Sequence, residues 1–307
     1  MQLRTGAGVL SFTLLFTLLA AGLCMLGAAG VAAEGALHPA HVPVASVCPC
    51  IAHMNCRDEV VTAPDATQLR AWFYQPDVSK PEDSQGAGAA IILLHGVGAS
   101  RADVVSLGYL FLQAGYSVLE PDLRGHGTSG GFTTYGLLEE QDIRQWANWM
   151  LAQPGISRIY GFGASLGGSV LLESLNREPR FRGVVAESAY ADFPGIATER
   201  IRRTLPRGLG WAAYPFVESG LVWVRLRYSV RLADASALNA VRRTHVPVFL
   251  IHGLEDHNTA PENSRLIAAA NPTVTTLWLV PNGGHANIWK TAGREFETRV
   301  LGWLASH

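Results

Sequence analysis

Short, unbroken apolar runs recur along this chain with helical patterns between them, and few folds accept that alternation. Ala89-Ala-Ile-Ile-Leu-Leu94 contains no polar residue, so as a strand it has to be covered on both faces, which is the situation of a parallel sheet. Further strands are expected near 117–121, 158–163, 183–187, 246–251 and 275–280, and helices near 101–114, 137–151, 166–177, 261–270 and 294–305. Within 137–151, Ile143, Trp146, Ala147, Met150 and Leu151 recur at the spacing of one helix face, which assigns Trp146 to the core rather than to a binding surface. Strand, helix and strand in repetition read as βαβ crossovers, and hence as an α/β domain with a mostly parallel central sheet flanked by helices. Glu59–Val61 and Leu69–Tyr74, on either side of Pro64-Asp65-Ala66, add strands ahead of it and give a folded domain over 57–307.

Composition narrows the possible partners. The 307 residues are 48% hydrophobic and 16% charged, which suits one compact core and excludes a disordered or coiled-coil chain. With 24 Lys+Arg against 25 Asp+Glu, the formal charge of −1 lacks the basic footprint of a nucleic-acid binder, so no nucleic-acid partner is expected.

The N-terminus differs from the rest. After Arg4 no charged residue appears until Glu34, and the nearly continuous apolar run from Val9 to Ala29 is long enough to cross a bilayer as a helix. Val31-Ala32-Ala33 offers small residues of the kind signal peptidase cuts, while the run exceeds the usual signal core. Residues 1–33 are therefore either a cleaved signal peptide or a retained membrane anchor, and the protein is exported: membrane-anchored, periplasmic or secreted. Leu23 ahead of Cys24 speaks against lipidation. Residues 34–56 read as a linker with the cluster Cys48-Pro-Cys50-Ile-Ala-His53-Met-Asn-Cys56, whose odd count leaves one thiol unpaired and favours one local disulfide involving Cys56. A zinc site with His53 is the weaker reading, since paired Cys-x-x-Cys elements are missing. No metal and no cofactor is expected.

One stretch breaks the alternation. Residues 189–245 lie between two expected strands and are too long for a connecting loop, which makes them an inserted helical cap after the sixth strand. The cap carries Arg200, Arg202, Arg203, Arg207, Arg225, Arg227, Arg231, Arg242 and Arg243 against Asp192, Glu199, Glu218 and Asp234, together with Trp211, Tyr214, Phe216, Leu221, Val222, Trp223 and Leu226. Helices that pack apolar faces on the domain with solvated arginines outside are the favoured reading; a membrane- or anion-docking surface is the alternative.

Chemistry enters with Ile159-Tyr-Gly-Phe-Gly163-Ala-Ser165-Leu-Gly167-Gly168, which sets a Gly-x-Ser-x-Gly pentapeptide between an expected strand and an expected helix. A serine held out at so sharp a turn needs small neighbours, and Gly163 and Gly167 supply them. Leu166 stands where a dinucleotide fingerprint would have its third glycine, so that reading fails. A serine hydroxyl attacks poorly until an imidazole takes its proton and a carboxylate holds the imidazole. Asp256 follows the strand Val248-Phe-Leu-Ile251 in His252-Gly-Leu-Glu-Asp256, and His285 follows Leu277-Trp-Leu-Val280 in Pro281-Asn-Gly-Gly-His285. Parallel strands deliver those loops to the edge where Ser165 lies. Two backbone donors for an oxyanion are expected at Leu166 and at Val97, the latter in Leu94-His95-Gly96-Val97-Gly98.

Taken in order, His95-Gly-Val-Gly98, Pro121-Asp122-Leu-Arg-Gly125-His-Gly127-Thr-Ser129, the turn at Ser165, His252-Gly-Leu-Glu-Asp256 and Gly284-His285 resemble the α/β-hydrolases of the serine aminopeptidase (S33)/monoacylglycerol-lipase-like and prolyl-oligopeptidase-like group, over about 57–305. The resemblance implies nucleophile, acid and base roles for Ser165, Asp256 and His285, and a structural turn at Asp122. Thr259-Ala260 departs from the Val-Pro that many relatives carry beyond the acid, and the cap matches no single substrate group.

The reading is a serine hydrolase that cleaves a carboxylic ester, or a thioester or amide, through an acyl-enzyme on Ser165, with a small hydrophobic ester or peptide-like substrate. Glu255 and Asp192 are rivals to Asp256 for the acid, and His95, His126 and His252 are expected to be structural. The alternatives are an exported peptidase of the prolyl-oligopeptidase/S33 type and a non-catalytic binding protein on the same fold. Membrane association is open through the N-terminal segment or the cap.

Overall fold

The computed structural model describes residues 3–45, 48, 56–76, 84–285 and 288–307, with backbone alone for 3–14. Its centre is an eight-stranded sheet in the order β1-β2-β4-β3-β5-β6-β7-β8. The strands are β1 (Cys56–Thr62), β2 (Gln68–Tyr74), β3 (Ala89–Leu94), β4 (Ser117–Pro121), β5 (Arg158–Ala164), β6 (Phe181–Glu187), β7 (Val248–Gly253) and β8 (Thr275–Val280). β2 is antiparallel to both β1 and β4, and every other pairing is parallel.

β3 shows why its sequence has no polar residue. Ala90, Ile92 and Leu94 enter the core under one face, while Ala89, Ile91 and Leu93 enter the core under the other, in the two-residue alternation of a strand. Helices α3 (Glu139–Leu151), α4 (Leu166–Ser174) and α8 (Glu262–Ala270) cover the first face through Trp146, Met150, Val170, Leu171 and Ile267. On the second face α2 (Val105–Gln113), α9 (Ile288–Ala292) and α10 (Arg294–Ala305) bring in Phe111, Leu112, Ile288, Phe296, Val300 and Leu304. The expected helix over 101–114 is a 3-10 turn, Arg101–Asp103, followed by α2.

Between β6 and β7 lie α5 (Phe193–Thr204), α6 (Ala213–Tyr228) and α7 (Ala237–Val241), so helical structure occupies the interior of the stretch expected as a cap over 189–245. Pro194 in the first turn of α5 and the Asp192 carboxylate accepting from the Gly195 N–H fix where that helix starts.

The N-terminal segment behaves differently from the expected division into 1–33 and a linker over 34–56. One helix, α1 (Leu3–Leu37), runs through residue 33, and its last turns lie on the cap. Glu34 accepts from Trp223 Nε1 at 3.0 Å and from the Tyr228 hydroxyl at 2.5 Å. The Leu37 carbonyl accepts from Thr133 N–H, the Ala36 carbonyl from the Tyr135 hydroxyl, and His41 Nδ1 donates to the Gly127 carbonyl. The start of the expected linker is thus tied into the domain, because those carbonyls and Glu34 find their partners there. A Cys48–Cys56 disulfide joins its other end to β1, and Cys50 and His53 lie outside the described residues.

Candidate active site

Ser165 sits between β5 and α4 with φ 55° and ψ −117°, a backbone region that L-residues seldom occupy. The turn closes only because its neighbours lack side chains: a Cβ on Gly163 would lie 2.3 Å from the Gly167 carbonyl oxygen, and one on Gly167 would lie 2.4 Å from that of Leu94. The hydroxyl is thereby held at the carboxyl edge of the sheet, where the loops after β7 and β8 arrive. His285 Nε2 lies 2.9 Å from Ser165 Oγ, and His285 Nδ1 lies 2.8 Å from Asp256 Oδ2. The structure brings these three expected residues together.

Asp256 is set firmly. Its Oδ1 accepts from the N–H groups of Asn258 and Thr259 at 2.8 and 2.9 Å. Its Oδ2 faces both His285 and His252, the latter at 3.2 Å. Burial alone would raise the carboxyl, but the hydrogen bonds from His252, His285 and the Thr259 N–H outweigh it and hold it well below the ordinary carboxylate range. His252 was expected to be structural, and its bonding explains how. Its Nε2 faces the Thr259 carbonyl at 2.9 Å as well as Asp256, both acceptors, so that nitrogen carries hydrogen and Nδ1 takes the Ser264 hydroxyl at 2.6 Å. The Thr259-Ala260 departure falls in this loop, and its buried threonine anchors the carboxylate through the backbone.

The rivals lie elsewhere: Glu255 is exposed, and Asp192 is the cap of α5. His95 Nδ1 donates to the Gly96 carbonyl and its Nε2 accepts from Leu123 N–H, which pins the loop after β3; burial lowers this imidazole below its ordinary range. His126 is bonded to the Arg124 carbonyl. Asp122 accepts from Arg101 N–H, Arg101 Nη1 and Thr128 N–H, each at 2.8 Å, and so holds the turn that follows β4.

Leu166 opens α4, so its N–H is among the donors a helix start leaves without an intrahelical acceptor. Val97 stands on the loop after β3 next to Gly98, which needs its φ of 67°. Both line, with Ser165, an apolar cavity of about 170 Å³. Phe193 and Ile196 of α5, Val217 and Leu221 of α6, and Ala29, Ala33 and Leu37 of α1 complete its walls. A second cleft also reaches Ser165; Val97, Ala99 and Val104 line it together with His285, Arg200 and Arg203. Arg203 is engaged with Glu199 and the His257 carbonyl. The part of α1 in the cavity was missed from sequence; the small residues at 29, 33 and 36, recurring at helical spacing just after the apolar run, are the signal that could have found it. Among the described residues no group of three or more His, Cys, Asp or Glu could hold a metal ion.

The strand order, the serine on a strained strand-to-helix turn and the acid and histidine on later loops define a protein with the α/β-hydrolase fold. Comparison with known proteins agrees, and the chain belongs to the alpha/beta hydrolase family, whose model matches residues 91–297. It is 26% identical over 200 residues to the uncharacterized protein YqkD of Bacillus subtilis, covering 64% of each chain. It is also 26% identical over 126 residues to a thermostable monoacylglycerol lipase of a Bacillus species, which spans 39% of this chain and 48% of the lipase. The esterase Pf2001 of Pyrococcus furiosus superposes with a TM-score of 0.68 at 24% identity, over 87% of this chain and 98% of the esterase. The chain therefore has the fold of this family.

Proposed function

We propose that this is a serine hydrolase acting on carboxylic esters of apolar acids, with Ser165 as nucleophile. The observation that carries the proposal is the unbroken line Ser165 Oγ, His285 Nε2, His285 Nδ1, Asp256 Oδ2, with both contacts under 3 Å. His285 takes the serine proton as Oγ attacks the carbonyl carbon, and Asp256 steadies the imidazolium that forms. The Val97 and Leu166 N–H groups receive the oxyanion, each worth about 3 kcal/mol of transition-state stabilisation. His285 then gives its proton to the leaving alcohol, activates a water against the acyl-enzyme, and returns to its starting state as the acid departs. Thioesters and amides would follow the same course.

The apolar cavity beside Ser165 supports an ester with a hydrophobic acyl group over a peptide. The name of the monoacylglycerol lipase relative points the same way. α1 supports placement at a membrane: within Leu15–Leu37 an 18-residue window reaches a mean hydropathy of 2.1, and it is the one described helix long and apolar enough to cross a bilayer. Hydrolysis of p-nitrophenyl octanoate by the full chain is the test. Ser165→Ala should leave residual turnover at about a millionth of the parent kcat, and an alanine variant that keeps the parent rate would discard the assignment.

A further inference from the structure

We infer that the last turns of α1 are a wall of the acyl site, so that the chain works with its N-terminal helix uncut, and that its substrate is an acyl ester resident in the bilayer that this helix enters. The inference rests on the serine-hydrolase reading above and names its substrate class.

Three observations carry it. The first is contact. Ala29 and Leu37 are buried, and together with Ala33 they line the same cavity as Ser165. Removal of residues up to 33 would strip away part of that wall and expose the faces of Val217 and Leu221 that complete it.

The second is close fit on the cap. A Cβ on Gly30 would fall 2.7 Å from the Trp223 ring, and one on Gly220 would fall 3.4 Å from the Ala29 carbonyl oxygen. Glycine is needed at 30, where the Trp223 ring lies against α1, while at Gly220 the two helices are in ordinary van der Waals contact. Glu34, meanwhile, is bonded to both Trp223 and Tyr228. A signal sequence destined for removal has no use for such a seat, whereas the wall of a binding site does.

The third is direction. Gly220 meets Ala29 and Ala33, Trp223 meets Gly30 and Glu34, and Tyr228 meets Glu34, so α1 and α6 run parallel. The start of α6 therefore points the same way as the free part of α1. From Leu15 on that free part is apolar and exposed, with Leu15, Phe16, Leu18, Leu19 and Leu23 each more than half accessible, and the helix ahead of the cap is long enough by itself to span a hydrocarbon core of about 30 Å. At its base stand Trp211 and Tyr214, 72% and 65% exposed, the residue types that sit at a membrane surface. One rod thus runs from the bilayer to the side of Ser165. An acyl chain that follows it would enter the cavity past Ala32 at the exposed rim.

The full chain in phosphatidylcholine vesicles tests this with p-nitrophenyl acetate, octanoate and palmitate, together with the intact mass of the protein recovered from membranes. The mass should retain residues 1–33; a mature chain that begins at Glu34 overturns the inference. Ala33→Trp should lower kcat/KM for octanoate and palmitate by about tenfold or more relative to its effect on acetate, since several methylenes lose their place. Val31→Trp, at a position 76% exposed and outside the cavity wall, should keep the parent profile. Ala33→Leu fills less of the cavity and should shift the profile in the same direction, should the indole prevent folding. An Ala33 variant with the parent chain-length profile, or an equal loss on all three esters, overturns the inference while leaving Ser165 as nucleophile. Absence of any hydrolysis by the parent removes the reading beneath it, and the two failures are thereby told apart.

Discussion

Two carboxyl groups at the edge of the sheet have opposite fates, and each gives a prediction. Asp256 is ionised by the hydrogen bonds that converge on it, so its proposed task is to fix the tautomer of His285. Asp256→Asn keeps the size but presents a donor on one side, and kcat should fall by about ten-thousandfold with the fold intact, as read by steady-state kinetics and circular dichroism. Glu187, at the end of β6, is pushed up to about 7 by burial, although the Ile288 N–H donates to it. Below its ordinary value of 4.5 both folded and unfolded chains hold the proton and Glu187 has no effect. As pH rises toward 7 the unfolded chain ionises first and folding loses up to about 3 kcal/mol. Glu187→Gln keeps the acceptor without the charge; it should melt with the parent near pH 4 and several degrees above it near pH 8 in thermal scans. Ser165, His285 and Asp256 were legible in the sequence because loops that follow parallel strands share an edge. The service of His252 to Asp256 was legible only as a structural role, since a contact set by loop curvature leaves no spacing to read.

At the scale of elements, the alternation of apolar runs was enough to place the strands from β3 to β8: a strand buried on both faces, such as β3, carries no polar residue, and the edge strand β8 is still marked by its run Leu277-Trp-Leu-Val280. Helix ends were harder: the 3-10 turn over Arg101–Asp103 is built on Asp122 holding the Arg101 N–H, a tertiary contact. The turn at Ser165 is where local sequence and packing agree most closely. Gly167→Ala would drive a Cβ to 2.4 Å from the Leu94 carbonyl oxygen and 2.6 Å from that of His95, backbone atoms that cannot yield. Such overpacking should destabilise the chain by about 3 kcal/mol or more, seen as a lowered denaturant midpoint, and the strand-to-helix turn should lose its geometry with it.

At the scale of the whole molecule, the fold serves as a frame that brings three distant loops to one edge and lays a cap across it. The apolar N-terminal run was evident in the sequence, and so was the cap; their union was not. Hydrophobicity reports that a helix must avoid water, and Trp223, Tyr228 and Gly220 decide what its last turns meet. The proposed nucleophile lies where that helix, the cap and the sheet converge. The central claim, that this convergence makes Ser165 reactive, is tested most directly by treating the full chain with a fluorophosphonate and locating the adduct by peptide mass. The account predicts one adduct, on Ser165, absent from Ser165→Ala and strongly slowed in His285→Ala; an adduct on another residue, or undiminished labelling of the alanine variant, would contradict it.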